Sequence, residues 1–250
     1  MKAIVCRIKH LSIILHLSKH NKNMNLEKAK KFLELLSKRY KSHPWHGIPA
    51  GENAPEVINA FIEMDSTVTV KYEIDKASGY IMVDRPQKFS NHMPALYGFV
   101  PRTFCDKEVA DFCMQKTGKT DVVGDGDPLD ICVITERHIP QGDILIPCIP
   151  IGGFRMIDDG EADDKIIAVL KGDEVYGEWK DVNDVPARII ERMEHYFLSY
   201  KNIPGKSKAK VEITHTYGRE EALEVIKRSM SDYKAIYGNV DEQLAALLSE

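Results

Sequence analysis

Three carboxylates crowd into GDGDPLDICVI, residues 124–134: Asp125, Asp127 and Asp130 stand within six positions, and an uncharged hydrophobic run follows at once. Like charges this close repel, so something positive is expected to hold them. Hard divalent ions take oxygen ligands. Mg²⁺ in particular binds through a few carboxylates, keeps several waters and shares phosphate oxygens of a substrate. Gly124, Gly126 and Pro128 supply a tight turn with little freedom. Taken alone, the motif also reads as an acidic surface turn with one capping aspartate.

A second acidic knot lies downstream in IDDGEADDKIIAV, where Asp158, Asp159, Glu161, Asp163 and Asp164 fall within seven residues and Lys165 opens a hydrophobic run. A solvated hairpin tip is the plain alternative. Two such knots at strand ends of one small domain can instead face each other across divalent ions that relieve the repulsion. Cations stand nearby in sequence. Lys71 and Glu73 share one face of a strand while Tyr72 points the other way. Arg85 ends the next strand, and Tyr200-Lys201 ends a helix. Singly, each reads as a surface ion-pair partner. Together with the acids they describe a site for a highly charged anion carried by metals.

Other chemistries fail on spacing. Asp125, Asp127 and Glu136 match positions of an EF-hand loop, but the position that needs glycine is Asp130. Gly118-Lys119-Thr120 mimics the end of a P-loop, yet Cys113 stands where its first glycine belongs. There is no G-x-S-x-G and no H-E-x-x-H, and the nine histidines show no metal-ligand spacing. His195 reads as a partly buried core or interface residue. Five cysteines without a C-x-x-C pair fit a reducing compartment, and the cytoplasm is the expected location.

The elements that must carry these groups are mostly short strands. VINAFIEM, STVTVKYEID, GYIMVDR, ALYGFVP, LDICVITE, DILIPCIPIGGFRM and KIIAVLKG are β-branched or alternating and are divided by turns, one of them Asp75–Gly79. That pattern predicts an α+β fold built on a closed or partly closed antiparallel barrel. Residues 104–123 read as a polar surface excursion. Helices are predicted over 25–41, 185–200 with Asp184 as N-cap, 218–236 and 241–248. The 250 residues, 43% hydrophobic with net charge −4, allow one sizeable core and give no basic field for nucleic acid or an acidic membrane. No apolar run reaches the roughly 18 residues of a membrane span. Residues 1–24 hold five Lys/Arg and no acid. They are read as an extension dispensable to the domain, with translation able to begin at Met24; a targeting peptide and an integral part of the fold are the alternatives. Residues 25–250 then form one domain with its core at 45–235.

With these residues in view, the chain resembles the soluble family I inorganic pyrophosphatases. Asp125-Gly-Asp127-Pro128-Leu129-Asp130 matches the family signature, and VKYEIDKASGYIMVDR, YGFVP, FRMIDDGEADDKIIAV and KDVNDVPARIIERMEHYFLSYK match its flanks. The resemblance implies an OB-like five-stranded barrel with helices at its side, and Mg²⁺-dependent hydrolysis of pyrophosphate by a homo-oligomer. Several ions are implied, with Mn²⁺ or Zn²⁺ as substitutes. Carried over by motif, Asp125, Asp130, Asp158, Asp163 and Glu73 are the implied metal ligands. Lys71, Arg85, Tyr97, Lys165, Tyr200 and Lys201 are the implied substrate-binding set, Glu63 a supporting residue, and Asp127 the base beside the attacking water.

One departure stands out: a tyrosine common in the family four residues before Tyr97 is Met93 here. Two rival readings remain. A divalent-ion-binding pseudo-enzyme would keep the acids without needing the cations, and a phosphatase for larger polyphosphates would prefer ATP.

Overall fold

The computed structural model describes residues 38–201 and 211–240, with isolated positions 31, 35, 36, 242 and 243. It divides into a main unit, Pro44–Tyr233, and a second unit made of the chain ends, Met1–His43 and Lys234–Glu250. In the second unit Lys31, Leu35, Leu36, Lys38 and Arg39 are helical, as the 25–41 periodicity predicts. Residues 1–24 and most of 241–248 lie outside the described residues.

The main unit is built on strands β1 (Ile58–Met64), β4 (Leu96–Phe99), β6 (Asp130–Ile134), β7 (Ile144–Asp158) and β9 (Lys165–Leu170). They pair in the order β1-β4-β6-β9-β7, and β7 pairs back onto β1, closing a five-stranded barrel. Four seams are antiparallel and β6–β9 is parallel. An odd ring cannot alternate direction all the way round, so the expected antiparallel barrel carries one parallel seam. β10 (Val211–Gly218) extends β7, and the two-residue strands β5 (Val123–Gly124) and β8 (Glu161–Ala162) pair near its far end. β2 (Val70–Ile74) and β3 (Ile81–Pro86) form a separate antiparallel ribbon.

Strand alternation divides the core in two. Ile131, Val133, Ile166 and Ala168 pack with Val109 and Phe112 of helix α1 (Lys107–Thr117) and with Val225 and Ile226 of helix α3 (Arg219–Tyr237). Their neighbours Cys132, Ile134, Ile167 and Val169 pack instead with Met193, Tyr196 and Phe197 of helix α2 (Ala187–Ser199). Both faces of the central strands are therefore covered, which is why they read as continuous apolar runs.

Two local expectations are overturned. Residues 104–123 are not a surface excursion: α1 buries Val109, Ala110, Phe112 and Cys113. Its N-terminal amides are capped from α3, where buried Asp232 accepts N–H bonds from Asp106 (3.0 Å), Glu108 (3.0 Å) and Val109 (3.2 Å). Nor does Asp184 cap α2. It accepts from the amides of Lys180 and Asp181 and closes a capping box with Asp181 around the short 3₁₀ turn Val182–Asp184. His195, on α2, is exposed rather than partly buried.

Candidate active site

The site gathers where strands of the barrel begin or end. Asp130 opens β6 and Lys165 opens β9, and the two are paired residues across the parallel seam. Tyr97 of β4 is the Cα partner of Cys132, one strand over, and its hydroxyl donates to Asp130 Oδ2 at 2.6 Å. Glu63 sits near the end of β1, Asp158 ends β7, and Asp163 follows β8. The turn before β6 brings in Asp125 and Asp127, with the Asp127 amide donating to Asp125 Oδ1 at 2.9 Å. Gly126 makes this turn in the left-handed region, at φ 72°. Gly124 lies so near the Cys105 carbonyl that a Cβ there would stand 2.3 Å from its oxygen.

These groups line one cavity of about 260 Å³. Of the residues expected at the site, all but Arg85 line it. Arg85 lies beside the site, as the Cα partner of Lys71 across the ribbon, with its guanidinium donating to Asp84. The expected sharing of a face by Lys71 and Glu73 holds, since their side chains form an ion pair. The two acidic knots do meet: Lys165 donates to both Asp130 and Asp163, and Lys201 donates to Asp158.

Sequence reasoning placed Glu161 in the second acidic knot without giving it a role and missed Lys76; both line the cavity. Lys76 reaches from the β2–β3 turn to Asp127 Oδ1. The signal was present, because Lys76 belongs to the same VKYEIDKASGY stretch, but a turn lysine carries no periodicity to mark it. Met93 is buried in the same α2-side core as Tyr97. Exposed Asp159 is not among the residues lining the cavity.

The electrostatics follow from crowding in a dry place. Burial and then nearby Asp130 push the Glu63 carboxyl up to about 8, while its Oε1 accepts the Ile74 amide at 2.8 Å. Burial, then Asp163, holds the Asp125 carboxyl well above the usual carboxylate range. For Lys165, burial favours the neutral amine, but Asp130 and Asp163 outweigh it and its pKa is raised. Lys71 is raised likewise, with Glu73 and Asp130 overcoming burial. Among the described residues no three His, Cys, Asp or Glu side chains are arranged as a metal shell. Ammonium groups instead neutralise the carboxylates. The donor set itself is all hard oxygen, which fits Mg²⁺ or a similar divalent ion.

A family model for inorganic pyrophosphatase matches residues 60–234. The inorganic pyrophosphatase of Chlamydia muridarum is 47% identical over 195 residues, covering 76% of this chain and 93% of that protein. The soluble inorganic pyrophosphatase of Oryza sativa is 35% identical over 201 residues, covering 80% and 84%. The crystal structure of inorganic pyrophosphatase from Thermus thermophilus matches with a TM-score of 0.65 at 28% identity, over 78% of this chain and 99% of that one. The chain belongs to the soluble family I inorganic pyrophosphatases.

Proposed function

We propose that this chain hydrolyses pyrophosphate to two orthophosphates, with a water as nucleophile and divalent ions held by its carboxylates. The observation that carries this reading is one small cavity lined by Asp125, Asp127, Asp130, Asp158 and Asp163 together with Lys71, Lys76, Lys165 and Lys201. A store for metal alone would not need four lysines; an anion that arrives with metals would.

Asp125, Asp130, Asp158, Asp163 and Glu73 would hold the ions. Bound Mg²⁺ supplies Lewis acidity toward phosphoryl oxygens and lowers the pKa of water. Asp127, the middle carboxylate of the turn, accepts or orients the proton of the attacking water. Lys71, Lys165 and Lys201, with Tyr97, Tyr200 and the neighbouring Arg85, bind and orient the phosphoryl groups and neutralise charge as it builds on the leaving phosphate. Glu63 ties the end of β1 to the ribbon that carries Lys71 and Glu73. No side-chain nucleophile is needed.

The location we propose is the cytoplasm, supported by free, buried Cys105, Cys113, Cys132 and Cys148. Among the described residues no helix is long and apolar enough to cross a membrane. Assembly as a homo-oligomer is supported by apolar Tyr80, Met82 and Val83 exposed on and beside β3. Phosphate release measured side by side from pyrophosphate and ATP with Mg²⁺ tests the substrate. Pyrophosphate should dominate, and faster release from ATP would favour the larger-polyphosphate reading.

A further inference from the structure

The start of β9 poses a problem of choice. Asp163 and Asp164 carry the same carboxylate on adjacent residues, and a one-residue slip in an extended segment exchanges its faces. In the structure Asp163 and Lys165 line the cavity, while Asp164 is buried. Nothing in the two aspartates themselves decides which one faces the cavity.

Arg155 of β7 reaches only one of them. Its side chain is 0% exposed, and Nη1 lies 2.6 Å from Asp164 Oδ2. Nη2 donates to Glu221 Oε1 of α3 at 2.8 Å. The guanidinium lies between the rings of Phe112 of α1 and Tyr217 of β10, 5.0 and 5.1 Å from their centroids. The Tyr217 hydroxyl also donates to Asp164 Oδ2, at 3.1 Å. Elements α1, α3 and β10 thus hold one arginine, and that arginine holds one aspartate.

The pair is poorly suited to a purely stabilising role. Among the described residues, Arg155 Nε and Nη1 and Asp164 Oδ1 have no aligned hydrogen-bond partner. Removing two charges from water costs about as much as their attraction returns unless every polar atom is satisfied. What a buried ion pair does well is discriminate between alternative registers.

We propose that Arg155 is the register key of this segment. By drawing Asp164 into the core it leaves Asp163 on the cavity, with Lys165 one alternation further on. Arg155 and Asp164 are positioning residues, acting on the metal through Asp163. The inference rests on the reading of Asp163 as a metal ligand.

The test is Mn²⁺ binding to the full chain without substrate, by calorimetry, with folding checked by circular dichroism and melting. The double variant Arg155→Met/Asp164→Asn removes both charges at similar volume and should stay folded. Its Mn²⁺ affinity should fall about 10–100-fold, the range for lost outer-shell partners, towards that of Asp163→Asn. Arg155→Lys, which keeps a cation for Asp164, should retain most of the affinity. A folded double variant with wild-type affinity would overturn the proposal. Should the double variant not fold, Asp164→Asn alone is read in the same way: a similar loss supports the key and unchanged affinity sinks it. A wild-type chain that binds no Mn²⁺ would overturn the metal reading itself, a failure distinct from that of the register key.

Discussion

Asp130 and Lys165 are paired residues at the mouths of two parallel strands, and the Lys165 ammonium joins Asp130 to Asp163. The only parallel seam of the barrel thereby brings the two acidic knots, some thirty residues apart in sequence, onto a single cation. The same contact explains how so many carboxylates can share a small cavity: buried lysine neutralises them.

We expect Asp130 to be the residue that the proposed chemistry can least spare. Asp130→Asn should lower pyrophosphate turnover by several orders of magnitude, because the carboxylate that meets both Lys165 and Tyr97 loses its charge. Asp159→Asn should change turnover little, since Asp159 is exposed and is not among the cavity-lining residues. Steady-state rates of the two variants check this, and equal losses would contradict the assignment of the second knot.

Lys76 should matter to binding rather than to stability. Its contact with Asp127 joins two half-exposed groups, and exposed pairs contribute about 0–1 kcal/mol. Lys76→Met should leave the melting temperature within error and raise KM for pyrophosphate several-fold, because a cation leaves the cavity. Unchanged KM would remove Lys76 from the site.

Glu63 gives the metal-free protein a characteristic dependence on pH. Its carboxyl is raised from 4.5 to about 8 in the folded state, so folding retains a proton that the unfolded chain has already lost. The stability this contributes is complete below pH 4.5 and is lost as pH rises through about 8. In EDTA, wild-type melting temperature should therefore fall between pH 5 and pH 8.5 more steeply than that of Glu63→Gln. Asp164, pushed up to about 6 mainly by burial, titrates in the same window in both proteins and cancels in the comparison. Parallel slopes would contradict the raised pKa.

Asp232 should matter to stability and not to catalysis. It accepts three amide hydrogen bonds at the start of α1 and is not among the cavity-lining residues. Hydrogen bonds to a charged group contribute about 1.5–3 kcal/mol, so Asp232→Ala should lose at least that much in urea unfolding while keeping kcat at low temperature. A variant as stable as wild type would show that α1 needs no cap from α3.

Much of the candidate site was legible because its residues sit in short local motifs. Asp125, Asp127 and Asp130 occupy one turn, and Lys71 and Glu73 one strand face, so local spacing alone brings each set together. Strand identity was legible for the same reason, through alternation and β-branching. What could not be read depends on pairing between distant segments. The parallel β6–β9 seam follows from closing a ring of five, not from any property of LDICVI or KIIAVL. α1 looked polar because its exposed face is charged, and the residue that caps it, Asp232, lies 126 positions from Asp106. Lys76 escaped notice because what matters about it is where the ribbon turn stands over Asp127. The contact that draws Asp164 to Arg155 is tertiary too.

The central claim is that the clustered aspartates serve hydrolysis of pyrophosphate through divalent ions. Its most direct test is phosphate release from pyrophosphate by the purified full chain, first with Mg²⁺ and then with excess EDTA. Fast release that the chelator abolishes and that added Mg²⁺ restores is the expected result. A folded protein that releases no phosphate with Mg²⁺, Mn²⁺ or Zn²⁺ would contradict it and leave the acids as a binding site without turnover.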